Sequence, residues 1–341
     1  MTKLGAAVIG AGNMGKMHAR IYKELYQAEL IAVADINEER ARELATAMGG
    51  VDYYKDYTEM LKDERIEVIS VTTPDHLHEE PVTACLEAGR HVLVEKPLAT
   101  SLEACDRMLA AEKKAGKILM VNFNHRWAPP YAATKNQLRQ GKQGRPVMAY
   151  ARKNDTIWVP TGMCPWLQHS SSADFLSSHD IDLVRWFFEL EVKSVYACGV
   201  KRVLKGMGYD TYDAIQALVR FDGDAIATFE SAWIYPDTYP TLTDSFIELV
   251  MERGVIHIDR QREMVDAVDN EKHYYPKSNL SCEIEGRLQG AFKYCIEHFL
   301  HCAETGAMPM TSAADARKTA EVVAAIHRSL ETGQVVELPL R

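Results

Sequence analysis

The 341-residue sequence has no C-x-x-C pair, no long basic run and no apolar stretch of membrane-spanning length. Each absence excludes something. Seven cysteines, an odd number scattered along the chain, do not make a disulfide framework and fit reduced thiols. Acids and bases are interspersed around a net charge of −9, which leaves no electrostatic footprint for nucleic acid. Without a long apolar run there is no transmembrane helix. The opening "MTKLGAAVIG" lacks the hydrophobic region and cleavage site of a signal peptide, so a cytoplasmic location is expected. Internal repeats and low-complexity segments are also missing. One cluster invites a metal: Cys295, His298, His301 and Cys302 in "YCIEHFLHCAE" have helical spacing, so zinc is conceivable. Their apolar partners Phe292, Ile296, Phe299 and Leu300 favour a packed helix, and the cluster is read as structural, with no metal site.

What is present is a globular composition, 47% hydrophobic and 26% charged, in a chain long enough for two domains. Over the first third, short apolar runs at 4–10, 29–35, 67–73, 91–97 and 117–123 alternate with segments of helical period at 14–26, 38–48, 78–88 and 101–115. Strand and helix in strict alternation predict parallel strands with right-handed crossovers, a doubly wound α/β sheet. After residue 123 the rhythm changes. A helix is expected over 131–140, an irregular stretch over 155–172 and another helix over about 173–188. Long strand-like runs follow, two of them joined by the turn "DGD" at 222–224. Helices over 286–304 and 312–332 close the chain. The expected division is a nucleotide-binding domain over 1–123 and a substrate-binding and oligomerisation α+β domain over 124–341 with a large, mainly antiparallel open sheet.

"VIGAGNMGKMHA" sets Gly10, Gly12 and Gly15 as G-x-G-x-x-G between the first strand and a helix opened by Asn13 and Met14. The glycines permit a tight turn, close approach of a pyrophosphate and close helix–strand packing, and the helix N-terminus supplies donors and partial positive charge. Asp35 follows Gly15 by twenty residues at the end of the second strand, where a carboxylate grips the adenosine ribose. It would repel a 2′-phosphate, and in "DINEER", which also carries Ile36, only Arg40 compensates; NAD is favoured over NADP. "TTPDHLH" follows the next strand, with Thr72, Thr73, Pro74 and His78 on the same carboxyl edge. "HVLVEKP" then sends Glu95 and Lys96 out of that edge against Pro97. A lysine there can hydrogen-bond a substrate oxygen and stabilise negative charge developing on it; a solvated Glu–Lys pair is the alternative.

Together with "VNFNHRWAP", these motifs resemble the Gfo/Idh/MocA family, which takes its name from glucose–fructose oxidoreductase and inositol dehydrogenase. The likeness is specific from residue 4 to about 130 and looser beyond. It implies that Lys96 meets the substrate beside the nicotinamide, that Asn124 and Arg126 lie near the cofactor crevice, and that the second domain's open sheet supports a homodimer or homotetramer. "SSADFLSSHDIDLVRWFF" resembles the family segment in which a histidine, here His179, precedes an aspartate, here Asp182, by three residues. Histidine is suited to exchange a proton with an alcohol during hydride transfer, although a helix-capping or core histidine is the alternative.

The likeness has a gap. Many family members carry an aspartate four residues before this histidine, where this chain has Phe175; Asp174 is one position off, about a hundred degrees round a helix. The expected function is an NAD-dependent dehydrogenase acting on a secondary hydroxyl of a sugar, polyol or derivative, with Lys96 and His179 catalytic. Asp155, Thr161, Trp166 and Tyr235 in loop-like stretches, with Phe175, are candidates to line the substrate pocket. Two other readings stand beside it: redox-assisted glycoside cleavage or epimerisation with recycled NAD, and an NAD- or sugar-sensing regulator. Retained Lys96 and His179 speak against the regulator, which needs neither.

Overall fold

Buried aliphatic residues set the first sheet. In the computed structural model, which describes residues 3–164, 166 and 170–340, β1 (Leu4–Ile9) is buried from Gly5 onward, as a strand covered on both faces must be. After it come α1 (Asn13–Glu24), β2 (Ala28–Ala34), α2 (Glu38–Ala47), β3 (Asp52–Tyr54), α3 (Tyr57–Met60), β4 (Val68–Val71), α4 (Glu79–Glu87), β5 (His91–Val94), α5 (Leu102–Ala115) and β6 (Leu119–Val121). The strands form one six-stranded sheet in the order β3-β2-β1-β4-β5-β6, every pair parallel. Its order reverses between β1 and β4, the switch point at which such sheets bind ligands. Helix starts are capped where the sequence supplies a cap: Asn37 accepts from the backbone of Arg40, and Ser101 from that of Ala104.

The rest of the chain forms α6 (Pro129–Arg139), β7 (Pro146–Thr156), α7 (Ser178–Phe188), β8 (Val192–Val200), α8 (Val203–Gly206), β9 (Ala214–Phe221), β10 (Ile226–Tyr235), β11 (Thr243–Met251), β12 (Gly254–Asp259), β13 (Ala267–Val268), β14 (His273–Tyr274), β15 (Cys282–Ile284), β16 (Arg287–Gln289), α9 (Ala291–Thr305), α10 (Ala313–Thr332) and β17 (Val336–Glu337). A seven-stranded sheet runs β12-β11-β7-β10-β9-β8-β17. Its ladders are antiparallel except between β10 and β7. Burial alternates along β9 residue by residue, so one face is covered and the other bare. The 222–224 hairpin turn is present, with Gly223 at φ 73.

Two compact units result: Met1–Asn124 with Ser281–Arg317, and His125–Leu280 with Lys318–Arg341. The contiguous division at 123/124 is therefore corrected, because Ser281–Arg317 returns to the first unit. Three local bonds show why. Glu24 accepts from the Leu288 amide at 2.7 Å, Arg20 pairs with Glu283 at 2.8 Å, and Thr311 donates to the Val121 carbonyl at 2.6 Å. Helix α9 buries Cys295, Ile296, Phe299 and Leu300. It begins at Ala291, later than the spacing predicts, because Gly286 and Gly290 take φ of 75 and 114 around β16. Within α9, Cys302 Sγ lies 3.4 Å from His298 Nε2, and no group of three or more His, Cys, Asp or Glu side chains able to hold a metal occurs among the described residues. No helix among them is long and apolar enough to cross a membrane.

Candidate active site

The glycine turn divides its labour. A Cβ on Gly15 would fall 1.8 Å from the Gly10 carbonyl oxygen, and Gly10 itself has φ +99; both positions require glycine for packing and backbone. A Cβ on Gly12 would meet nothing within 4 Å. That open space sits at the N-terminus of α1, which has neither a side-chain cap nor an acid in its first turn, so its amides are available to phosphate. Asp35 is half-buried beside it. Its Oδ2 accepts from the Ala11 amide at 2.7 Å and its Oδ1 from the Asn37 amide at 2.8 Å, which fixes the carboxylate while leaving each oxygen capacity for a ribose hydroxyl. Ile36 and Arg40 are exposed next to it. These residues fit a bound dinucleotide.

The next two corners turn several of their polar groups inward. Thr72 turns its hydroxyl inward to the carbonyls of Ile9 and Gly10, at 3.0 and 2.8 Å, and Thr73 reaches the Leu77 carbonyl at 3.3 Å; both hydroxyls brace the turn. Pro74 precedes the short 3₁₀ turn Asp75–Leu77. His78 is buried between two corners, its Nε2 3.1 Å from the Thr73 carbonyl and its Nδ1 3.0 Å from that of Pro97. Burial lowers its pKa against the pull of Asp75 and the carbonyls. Glu95 also points inward. Its Oε1 is 3.1 Å from His18 Nε2 and accepts from Asn122 Nδ2 at 2.6 Å. Burial opposes its ionisation, but His18, Asn122 and the charge of Lys96 outweigh burial and hold it below the ordinary carboxylate value. Lys96 is left as the half-exposed member of the otherwise buried run 95–99. Asn124, at the end of this unit, has a buried Oδ1 with no hydrogen-bond partner among the described residues.

In the second unit the expected helix over 173–188 begins as a π-type turn, Ala173–Ser177, in which the Ser178 amide reaches the Ala173 carbonyl. Helix α7 follows, with half-buried His179 in its first turn. The ring of His125 stacks on that of His179, with centroids 4.0 Å apart. Arg126 grips Asp182 through two guanidinium bonds of 2.9 and 2.6 Å, both side chains buried. Asp174, the off-register acid, goes elsewhere. Its Oδ2 meets His327 Nε2 at 2.8 Å and accepts from Ser171 at 2.7 Å. Burial resists its ionisation, but His327 and Ser171 prevail and keep it below the ordinary carboxylate value.

Phe175 lies in an aromatic group, its ring 6.1 Å from Trp166 edge-on and 6.5 Å from Trp233. Val159, Leu176 and Leu204 are buried in the same cluster. Asp155 and Tyr235 sit in strands rather than loops, because β7 and β10 pair in parallel to their ends, Tyr235 against Thr156. Asp155 accepts from Thr243 at 2.6 Å, and Asn154 donates to Tyr235 at 2.9 Å. Thr161 donates to the Ile157 carbonyl at 2.7 Å inside a second π-type turn, Val159–Met163. The sheet end thus gathers Asp155, Asn154 and Tyr235, and the aromatic cluster gathers Trp166 and Phe175. His18, Asn122, His125 and Asn154 were not anticipated. A buried histidine three residues after Gly15 and a lone asparagine ending a core strand were the available signals.

A glycine turn at the switch point, a carboxylate tied beside it and a lysine emerging at the same sheet edge define a dinucleotide-binding oxidoreductase. The profile of an oxidoreductase family with an NAD-binding Rossmann fold matches residues 4–123, and the GFO/IDH/MocA C-terminal domain matches residues 107–257. The chain is 28% identical over 334 residues to myo-inositol 2-dehydrogenase of Thermotoga maritima, covering 97% of each. It is 31% identical over 268 residues to inositol 2-dehydrogenase of Acidothermus cellulolyticus, covering 78% of this chain and 75% of that one. The solved structure of a probable dehydrogenase from Thermotoga maritima superposes with a TM-score of 0.85 at 27% identity, covering 98% of this chain and 99% of the other. The chain belongs to the Gfo/Idh/MocA family of NAD-binding oxidoreductases.

Proposed function

We propose that the protein is an NAD-dependent dehydrogenase that oxidises a secondary hydroxyl of a cyclic polyol, sugar or sugar derivative, or reduces the matching ketone. The observation that carries this reading is Lys96, half-exposed in an otherwise buried run at the carboxyl end of β5, on the same sheet edge as the dinucleotide turn. The relatives at 28% and 31% identity are named for inositol oxidation, which supports a hydroxyl-rich substrate. Asp35 and the α1 amides hold the adenosine half of NAD. When bound, NAD supplies the hydride acceptor. Lys96 donates a hydrogen bond to the reacting oxygen and stabilises the charge that develops there. His179 takes the hydroxyl proton, and the His125 ring holds the imidazole plane. Asp155 and Tyr235 supply acceptor and donor for further hydroxyls.

The bare face of the seven-stranded sheet supports a homo-oligomer. Val255, Val250, Met148 and Ile226 fall in register across four strands of that face, and Val255, Met148 and Ile226 are exposed, a row suited to a second copy. Cytoplasmic residence remains part of the same reading. The decisive experiment is a panel of inositols, sugars and glycosides screened for NAD reduction by the purified protein, with Lys96→Ala as control. Turnover is expected to fall roughly a hundredfold or more in the variant with NAD affinity little changed. Undiminished turnover in Lys96→Ala would remove the lysine from the mechanism. Sugar cleavage without net NADH would turn the reading toward redox-assisted elimination.

A further inference from the structure

We propose that His18 is a positioning residue for Lys96, acting through the Glu95 carboxylate. This rests on the reading of Lys96 as the group that polarises the substrate oxygen. His18 lies one turn into α1 and is wholly buried. Its Nδ1 is 2.9 Å from Ser70 Oγ, its Nε2 3.1 Å from Glu95 Oε1, and Ser70 Oγ is 2.8 Å from the Tyr22 hydroxyl. One arrangement of protons satisfies the whole chain with a neutral imidazole. Tyr22 donates to Ser70, Ser70 donates to Nδ1, and Nε2–H donates to Glu95. Asn122 adds a second donor to the same Glu95 oxygen at 2.6 Å. The other oxygen, Oε2, accepts from the Lys96 amide at 3.2 Å.

Four elements meet in this chain: α1 through His18 and Tyr22, β4 through Ser70, the end of β5 through Glu95, and the end of β6 through Asn122. None of the four side chains other than Glu95 adjoins Lys96 in sequence, and none is placed to touch substrate. Their output is one buried carboxylate, held charged and aimed at the main chain of the residue that does the work. Hydrogen bonds linked in one buried side-chain network strengthen one another, and their members act as a unit. The carboxylate also does electrostatic work, since the charges of Glu95 and Lys96 favour each other. The sign follows: without His18, Glu95 loses a donor, its charge becomes costly to keep buried, and Lys96 loses both an anchor and a stabilising anion. Helix α1 also carries the dinucleotide turn at its start, so the same helix serves the cofactor with its N-terminus and the lysine with its second turn.

The test uses the NAD-bound full chain and three variants. His18→Leu removes the donor, His18→Gln keeps a nitrogen donor at the ε position, and Glu95→Gln keeps the shape without the charge. Lys96 is labelled with acetic anhydride at pH 8 and quantified by mass spectrometry, a readout that needs no substrate. Labelling is expected to rise about threefold or more in His18→Leu and Glu95→Gln, through loss of the neighbouring anion, and to return towards the parent value in His18→Gln. Turnover should fall about tenfold in His18→Leu with KM for NAD within about twofold. In a Lys96→Ala background the same change should leave the residual rate untouched, the signature of two residues acting as one unit. Should His18→Leu fail to fold, Glu95→Gln carries the same comparison. Unchanged labelling, or equal losses of turnover with and without Lys96, would overturn the proposal. Altered labelling in a protein that oxidises none of the polyols would leave it standing and overturn the dehydrogenase reading instead.

Discussion

The imidazole of His125 lies face to face on that of His179, with centroids 4.0 Å apart and planes 14° from parallel. His125 also stacks against Tyr131, centroids 5.7 Å apart. A ring packed against two others cannot tilt without disturbing them. His125→Ala is therefore expected to lower kcat about tenfold by letting His179 swing out of line, whereas His125→Phe, which keeps a flat face, should retain most of the rate. His179→Ala should cost roughly a hundredfold or more, the scale of losing a general base. Steady-state kinetics of the three variants decides the matter; equal losses in His125→Ala and His125→Phe would show that the stack is not what orients His179.

Cofactor choice turns on Asp35, whose oxygens are fixed by the amides of Ala11 and Asn37. A carboxylate pinned there meets a 2′-phosphate with like charge. NAD should bind at least about tenfold tighter than NADP, about 1.4 kcal/mol, and Asp35→Ala should narrow the gap mainly by losing NAD affinity. Fluorescence titration with both reduced cofactors measures it, and equal affinities in the unmutated protein would refute the assignment.

Phe175 is held against Trp166 and Trp233 and offers a face with no hydrogen-bonding capacity. A substrate with an apolar face or substituent at that point is expected to be used better than plain myo-inositol. The margin should be about tenfold or more in kcat/KM, the scale of one well-placed apolar contact. Comparing myo-inositol, free hexoses and substituted glycosides checks this; efficient turnover of myo-inositol would count against it. Phe175→Asp should not simply restore a family-like site, because a carboxylate among two tryptophans lacks partners and would destabilise the unit by about 1–3 kcal/mol.

The Asp174–His327 pair makes stability depend on pH in a defined direction. Burial lowers the His327 pKa, but Asp174 outweighs it and raises the net value above 6.5, so the stabilisation is complete below pH 6.5 and fades as pH rises through the raised value. Asp174 is lowered from 3.8, so its share is complete above that value and is lost only in stronger acid. The pair therefore contributes most between about pH 4 and 6.5. His327→Gln should lower Tm by about 2–4 °C at pH 5.5, the shift expected for about 1 kcal/mol, and by less at pH 8.5. A difference that grows with pH would contradict the assignment.

The parallel sheet was legible because each of its strands except β3 is a buried apolar run followed by a segment of helical period. Edge strand β3 has three residues, two of them exposed, too short and too polar for that pattern to register. The glycine turn, Asp35 and the Glu-Lys-Pro corner were legible as residues, but not which atoms they present. Glu95 takes its direction from His18 and Asn122, and His18 lies 77 and 104 residues from its two partners here; periodicity carries no information over such separations. The bond of Arg126 to Asp182 was hidden in the same way, since the two lie 56 residues apart. The π-type turn before α7 was equally hidden, since a single wider turn of five residues is too short for a helical period to reveal it.

The return of Ser281–Arg317 to the first unit has a consequence for how the chain is made. Synthesis runs from the N-terminus, so the six strands of the first sheet are complete when residue 121 has been added. The surfaces of α1 and β6 that receive the β15–β16 hairpin, α9 and Thr311 must wait until another 190 residues or so have emerged. The part that folds early is thus finished late. A nascent chain halted near residue 130 lacks α9 and its buried Ile296, Phe299 and Leu300, and only a chain extended past α9 can supply them.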